Sequence, residues 1–283
     1  MKETVAHIQN SLESLYPPED IRCLTRWILE KVCGLSPLQQ IRCKDTQISF
    51  AKKMSVQNIV QRLAKGEPIQ YIFREAEFYG LILEVNPSVL IPRPETEELV
   101  VLAHERLCDR QSSGHLRILD LGTGSGCIAV KLAKCRPEAE VYAVDISEPA
   151  LETARRNACR NDVSVHFLQA NILADEWTAE LPDFDLIISN PPYVKESEQA
   201  DMNRWVLEHE PHTALFVPDS DPLLFYRAIA VLCEKKLAKN GLLCVEINPA
   251  CSDEIAGMLS RKGFRAEQQR DLSGKERFII ATK

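Results

Sequence analysis

Apolar residues recur along the first 65 positions at intervals of three and four. Ile8, Leu12 and Leu15 form one stripe; Ile21, Leu24, Trp27, Ile28 and Leu29 form another. On a helix with 3.6 residues per turn such positions share one face, so the segment predicts short amphipathic helices. Pro17-Pro18 breaks the chain between the first two. Glu19-Asp20 suits the positive end of the second helix, and Gly34 is placed to end it. Ser36-Pro37 starts a further short turn. Ser55 is placed to cap a helix running through Val56, Ile59, Val60 and Leu63 to Gly66. The stripes read as the core of a small helical bundle.

Beyond Gly66-Glu67-Pro68 the period changes. Tyr71, Phe73, Phe78, Tyr79 and the alternating Leu81, Leu83 and Val85 predict extended chain and a hairpin. In Leu90-Ile91-Pro92-Arg93-Pro94-Glu95-Thr96-Glu97 two prolines hold the chain open, and Thr96 or Glu95 can start a helix through Leu99, Val100 and Leu102. From residue 116 short apolar runs alternate with helical stripes. Strands are expected at 116–121, 141–144, 163–169, 186–189, 242–247 and 277–281. Helices are expected from about Cys127 and at 150–159, 222–238 and 252–261. Repeated strand–helix units imply an α/β, doubly wound, mostly parallel sheet covered on both faces. The expected division is a helical domain over 1–70, a hairpin and linker over 71–95, and the α/β domain over 96–283.

Composition narrows the function classes. No apolar run approaches the roughly 18–20 residues that span a bilayer, so no membrane role is expected. Ten cysteines are present, with no Cys-x-x-Cys pair; Cys23, Cys33 and Cys43 lie ten residues apart. With no secretory segment, buried reduced thiols and a cytoplasmic location are expected, and no metal site. The net charge of −7 is unevenly spread: residues 1–75 carry 11 basic and 8 acidic residues, leaving −10 on the remainder. That sign argues against direct nucleic-acid binding; the mildly basic first module is compatible with partner recognition, and a solvated helical surface explains it equally well.

Two segments carry chemistry. Asp120-Leu121-Gly122-Thr123-Gly124-Ser125-Gly126 follows the first strand and opens a helix, and Asp145 closes the next strand nineteen residues after Gly126. The glycines let backbone approach a ligand, and a strand-end carboxylate can accept from both ribose hydroxyls of a nucleoside. The spacing is not Gly-x-Gly-x-x-Gly, and no Gly-Lys-Ser/Thr step cradles phosphates. Negative Asp120 suits a ligand with an amino group and a sulfonium, favouring S-adenosylmethionine over NAD; the plainer role is capping of nearby amides. The second segment, Ser189-Asn190-Pro191-Pro192-Tyr193, follows the fourth strand. An Asn oxygen and a neighbouring carbonyl can hold the two hydrogens of an –NH2 group. Pro191 fixes φ, and Tyr193 can stack on a planar amide. Such a site suits methyl transfer to an amide or amino nitrogen, without metal or covalent nucleophile.

Together these residues resemble the class I methyltransferases with an Asn-Pro-Pro-Tyr step, and more closely the HemK-type peptide chain release factor glutamine methyltransferases. The resemblance extends over Gly66-Glu-Pro-Ile-Gln-Tyr71, the segment 90–98, the glycine turn and Glu210-Pro-His-Thr-Ala-Leu215. It implies a Rossmann-like, seven-stranded sheet and a cofactor, S-adenosyl-L-methionine. It implies a protein substrate, the glutamine of the Gly-Gly-Gln motif of class 1 release factors, methylated on its side-chain nitrogen. Gly122, Thr123, Gly124, Ser125, Gly126, Asp145, Trp177 and Asn190 would hold the cofactor, with Trp177 packing on the adenine. Asn190, Pro191, Pro192 and Tyr193 would hold the glutamine. For Trp177 a core position is the plainer alternative; for Arg93 and Glu95, lid and plain turn stand equal. The turn Glu246-Ile-Asn-Pro-Ala250 and His209 depart from the family pattern near the substrate rim. The alternative within the same chemistry is an N6-adenine DNA, rRNA or ribosomal-protein amino-methyltransferase.

Overall fold

The computed structural model describes residues 1–42, 46–108, 116–174 and 176–283, so Cys43 lies outside the described residues. The chain divides into two compact units, residues 1–73 and 74–283.

The first unit is helical: α1 (Lys2–Leu12), α2 (Pro18–Cys33), α3 (Pro37–Arg42), α4 (Phe50–Leu63) and α5 (Ile69–Phe73). Ile8, Leu12, Ile21, Ile28, Val56, Val60 and Leu63 meet in one core, as their spacing predicts. Gly34 ends α2 in the left-handed conformation at φ 71°. Two expectations are corrected. Ser55 lies inside α4 and donates to the carbonyl of Ala51; the cap is Ser49, one turn and more upstream. Tyr71 and Phe73 belong to α5 rather than to extended chain, because Ile69 and Tyr71 bury their side chains in a helical turn that follows Pro68.

The second unit begins with a hairpin, β1 (Ala76–Phe78) and β2 (Leu81–Leu83), followed by α6 (Pro94–Cys108). Alternation then sets in: β3 (Arg117–Leu121), α7 (Cys127–Cys135), β4 (Glu140–Asp145), α8 (Glu148–Arg160), β5 (His166–Gln169) and β6 (Phe184–Ser189). A short pair, β7 (Val194–Lys195) and β8 (Phe216–Val217), brackets α9 (Arg204–His209). The chain closes with α10 (Leu224–Lys236), β9 (Leu237–Glu246), α11 (Ser252–Arg261), β10 (Arg265–Arg270) and β11 (Glu276–Thr282).

Seven strands form the main sheet in the order β10-β11-β9-β6-β3-β4-β5. β11 runs antiparallel between β9 and β10; the other pairings are parallel. Successive side chains of the central strands point to opposite faces. Ile118, Leu186, Ile188 and Cys244 pack under α6 and α7, whereas Leu119, Ile187, Leu243 and Val245 pack under α10 and α11. Each such buried aliphatic side chain contributes roughly 1.5–3 kcal/mol. The segment Arg265–Arg270, not foreseen from its polar sequence, is an edge strand held by backbone pairing to β11.

Candidate active site

Register decides which residues meet at the carboxyl edge of the sheet. Leu121 pairs with Val144 and with Ser189, and Ser189 pairs with Val245. One residue further on along each chain come Gly122, Asp145, Asn190 and Glu246, side by side. Doubly wound sheets bind ligands at this edge. A cleft of about 380 Å³ opens there, a size usual for small-molecule sites, roughly 300–1,000 Å³.

The glycine turn is built by β3 and β4 together. The N–H groups of Gly122 and Thr123 both donate to the carbonyl of Val144, at 2.8 and 3.0 Å. Gly122 and Gly124 have φ of 71° and 54°, and a Cβ at either would meet open space. Conformation requires glycine there, and both line the cleft. Gly126 differs: an added Cβ would lie 2.9 Å from that of Ala154, so it serves the close packing of α7 on α8 and does not line the cleft.

The two strand-end aspartates have separate tasks. Asp120 is wholly buried and does not line the cleft. Its Oδ2 accepts from the Thr123 hydroxyl at 2.6 Å and from the Ala129 N–H at 3.2 Å. Burial pushes its carboxyl up to about 7, against the pull of those two donors. The capping role is the one the structure gives it. Asp145 lines the cleft, where Oδ2 accepts from Gly124 N–H at 2.8 Å and Oδ1 from Ser147 N–H at 2.9 Å. Burial raises this carboxyl as well, and the backbone donors oppose the rise.

Trp177 lies outside the cleft; it packs against the core on the α10 and α11 face. The apolar wall beside Asp145 is made instead by Ile146 and Leu173, which are 59 % and 43 % exposed.

Within the proline segment, Asn190 and Pro192 line the cleft while Pro191 is buried beneath it. Asn190 Nδ2 donates to Thr96 Oγ1 at 2.9 Å. The Thr96 hydroxyl in turn donates to Glu246 Oε2 at 2.8 Å. Tyr193, expected to face the ligand, does not line the cleft; its hydroxyl donates to Glu246 Oε1 at 2.8 Å. Burial holds the Tyr193 phenol far above its usual range, so it remains a neutral donor. Thr96 and Glu246 are 2 % and 1 % exposed. Burial raises the Glu246 carboxyl, and its two hydroxyl donors and the Arg277 charge act the other way.

Residues the sequence left undecided also find places. Arg93 pairs with buried Glu210, which also accepts from Ile91 N–H at 3.1 Å, so the 90–94 segment is clasped to the chain before Pro211. Arg93 and Pro211 both line the cleft. In the atypical turn after β9, Asn248 donates to the carbonyl of Tyr193 at 3.2 Å and braces the proline segment.

The Methyltransferase small domain family matches residues 104–215, and the PrmC N-terminal domain family matches residues 3–73. The release factor glutamine methyltransferase of Bacteroides thetaiotaomicron is 42 % identical over 284 residues, covering 100 % of both chains. That of Flavobacterium psychrophilum is 40 % identical over 270 residues, 95 % of this chain and 94 % of its own. Among solved structures, a Thermus thermophilus 16S rRNA N2 methyltransferase in complex with AdoMet and guanosine superposes with a TM-score of 0.52 at 21 % identity, over 74 % of this chain and 49 % of that one. A human methyltransferase 10 domain containing protein gives 0.51 at 16 % identity, over 72 % and 90 %. At these identities the structures attest the class I methyltransferase fold.

Proposed function

The chain belongs to the release factor glutamine methyltransferases, and from that premise we propose how its cleft works. The reaction is transfer of a methyl group from S-adenosylmethionine to the side-chain amide nitrogen of a release-factor glutamine. The cofactor supplies an electrophilic methyl on a sulfonium. The cleft fits it on three counts: the open backbone at Gly122 and Gly124, the Asp145 carboxylate, and the apolar Ile146 and Leu173. Asp145 takes the ribose hydroxyls, and Ile146 with Leu173 takes the adenine, in the role expected of Trp177.

The observation that carries the mechanism is the hydrogen bond from Asn190 Nδ2 to Thr96. It leaves Asn190 Oδ1 as an acceptor at the cleft. With a carbonyl of the proline segment, Oδ1 holds the two N–H groups of the glutamine amide. Methylation builds positive charge on that nitrogen, and fixed acceptors stabilise it more in the transition state than before it. No residue need remove the proton beforehand, because the N-protonated methyl amide formed first is a strong acid and loses its proton to solvent after transfer. Pro192 restricts the geometry of approach.

Residues 1–73 are assigned to recognition of the release factor, in keeping with their basic balance. The adenine-methylating alternative is not favoured: the full-length relatives are named for release factors. No helix among the described residues is long and apolar enough to cross a membrane. The deciding assay uses S-adenosylmethionine labelled on its methyl, a release factor from the same cell, and a copy with the loop glutamine changed to alanine. Label on the first only is expected; label on both moves the target elsewhere.

A further inference from the structure

An Asn side chain has nearly the same shape whichever way its amide is turned, so packing alone does not decide whether oxygen or nitrogen faces a ligand. The direction matters here. With Oδ1 outward, Asn190 receives the –NH2 of a glutamine. With Nδ2 outward, it would repel that group and welcome the carboxylate of a glutamate. Glutamine and glutamate differ in shape by almost nothing else.

A carboxylate has no such ambiguity, because ionised it only accepts. Glu246 Oε2 therefore accepts the hydrogen bond donated by the Thr96 hydroxyl, 2.8 Å away. Thr96 Oγ1 then has only lone pairs left for Asn190, 2.9 Å away. Asn190 must turn Nδ2 inward and Oδ1 outward. The second oxygen of Glu246 is occupied by the Tyr193 hydroxyl at 2.8 Å. We infer that Glu246 and Thr96 are positioning residues that set the direction of the Asn190 amide, and with it the preference for an amide over a carboxylate at the substrate position. This rests on the role proposed for Asn190.

The chain of bonds crosses three separate elements. Thr96 comes from the first turns of α6, Asn190 follows β6, and Glu246 ends β9. Packing and bonding restrain all three: Thr96 and Glu246 are buried, and Ser189, just before Asn190, donates its hydroxyl to the carbonyl of Leu121 at 2.7 Å. Of the charged groups acting on Glu246, Arg277 favours the ionised form and Glu95 opposes it. A protonated Glu246 could donate to Thr96 and reverse the relay. Against burial, the two hydroxyl donors and Arg277, itself paired with Asp271, favour the ionised form that only accepts.

The test compares three variants of the full chain: Thr96→Val removes the hydroxyl and keeps the shape, Thr96→Ser keeps the hydroxyl, and Glu246→Gln lets position 246 donate. For each, kcat, KM and S-adenosylmethionine affinity are measured. Binding of the release factor is compared with that of a copy whose target glutamine is changed to glutamate. With Thr96→Val, kcat is expected to fall about tenfold or more while cofactor affinity stays within about twofold, and the preference for the glutamine form shrinks about tenfold. Thr96→Ser restores both. Glu246→Gln gives an intermediate loss of preference, since its new N–H can also go to the Tyr193 hydroxyl, and it carries the test should Thr96→Val fail to fold. A general loss of packing would lower activity without changing which form binds better. Unchanged discrimination in Thr96→Val and Glu246→Gln, or a loss that Thr96→Ser does not restore, overturns the inference. Wild-type kcat in Asn190→Ala would instead overturn the role of Asn190 on which it stands.

Discussion

Asp120 and Asp145 end adjacent strands, yet their surroundings make one a brace and the other a ligand candidate. Asp120 turns into the protein and caps the glycine turn; Asp145 stays at the cleft. The raised carboxyl of Asp120 has a consequence for stability. Its folded value of about 7 lies above its ordinary 3.8, so the folded chain holds the proton more tightly. That stabilisation is complete below the ordinary value and is lost as pH rises through about 7. Asp120→Asn cannot ionise. In cofactor-free protein, its melting temperature should gain on the parent between about pH 4 and 7 and then hold a constant lead. A difference that ignores pH would reject the assignment. Asp145→Ala should weaken S-adenosylmethionine binding about tenfold or more in calorimetric titration, as expected for a lost charge-assisted bond. Asn190→Ala should lower kcat on the order of a hundredfold with cofactor affinity little changed; equal losses in both would count against it as the acceptor of developing charge.

Among elements, the hairpin and the glycine turn are joined by one side chain. Asn157 of α8 is fully buried, accepts from Glu84 N–H at 2.6 Å, and donates to the carbonyls of Glu84 and Ser125, each at 2.9 Å. A buried amide with its hydrogen bonds made is a strong constraint on where two segments sit. The close contact of α7 and α8 depends on Gly126 at φ 81°. Gly126→Ala should cost about 1–3 kcal/mol, from strain and from the clash with Ala154, read as a lower denaturant midpoint. Adding Ala154→Gly should recover the clash alone; full recovery would show that the backbone angle is not strained. The helix N-terminus at Ser49 rather than Ser55 follows from the same kind of choice: both serines fit a cap locally, and the burial of Val56, Ile59, Val60 and Leu63 accommodates the longer helix.

At the scale of the molecule, each unit has its own core. Every residue lining the cleft lies in residues 74–283. A chain of 74–283 should therefore bind S-adenosylmethionine within about threefold of the full protein. If residues 1–73 recognise the release factor, its methylation should fall by a far larger factor in that chain. Equal methylation by both would remove the recognition role from the helical unit.

The sequence by itself determined the alternation of the main strands and helices beyond residue 116, the helical character of the first unit, and the positions of the glycine turn, Asp145 and Asn190. Those depend on hydrophobic period and turn chemistry, which act over a few residues. The strand Arg265–Arg270 escaped because an exposed edge strand is held by its backbone and shows no apolar alternation. Only tertiary structure decided which side chains complete the site. Thr96 reaches Asn190 across 94 positions and Glu246 across 150. Ile146 and Leu173, not Trp177, form the wall beside Asp145. Such pairings are chosen by how whole elements pack, and no local spacing encodes them.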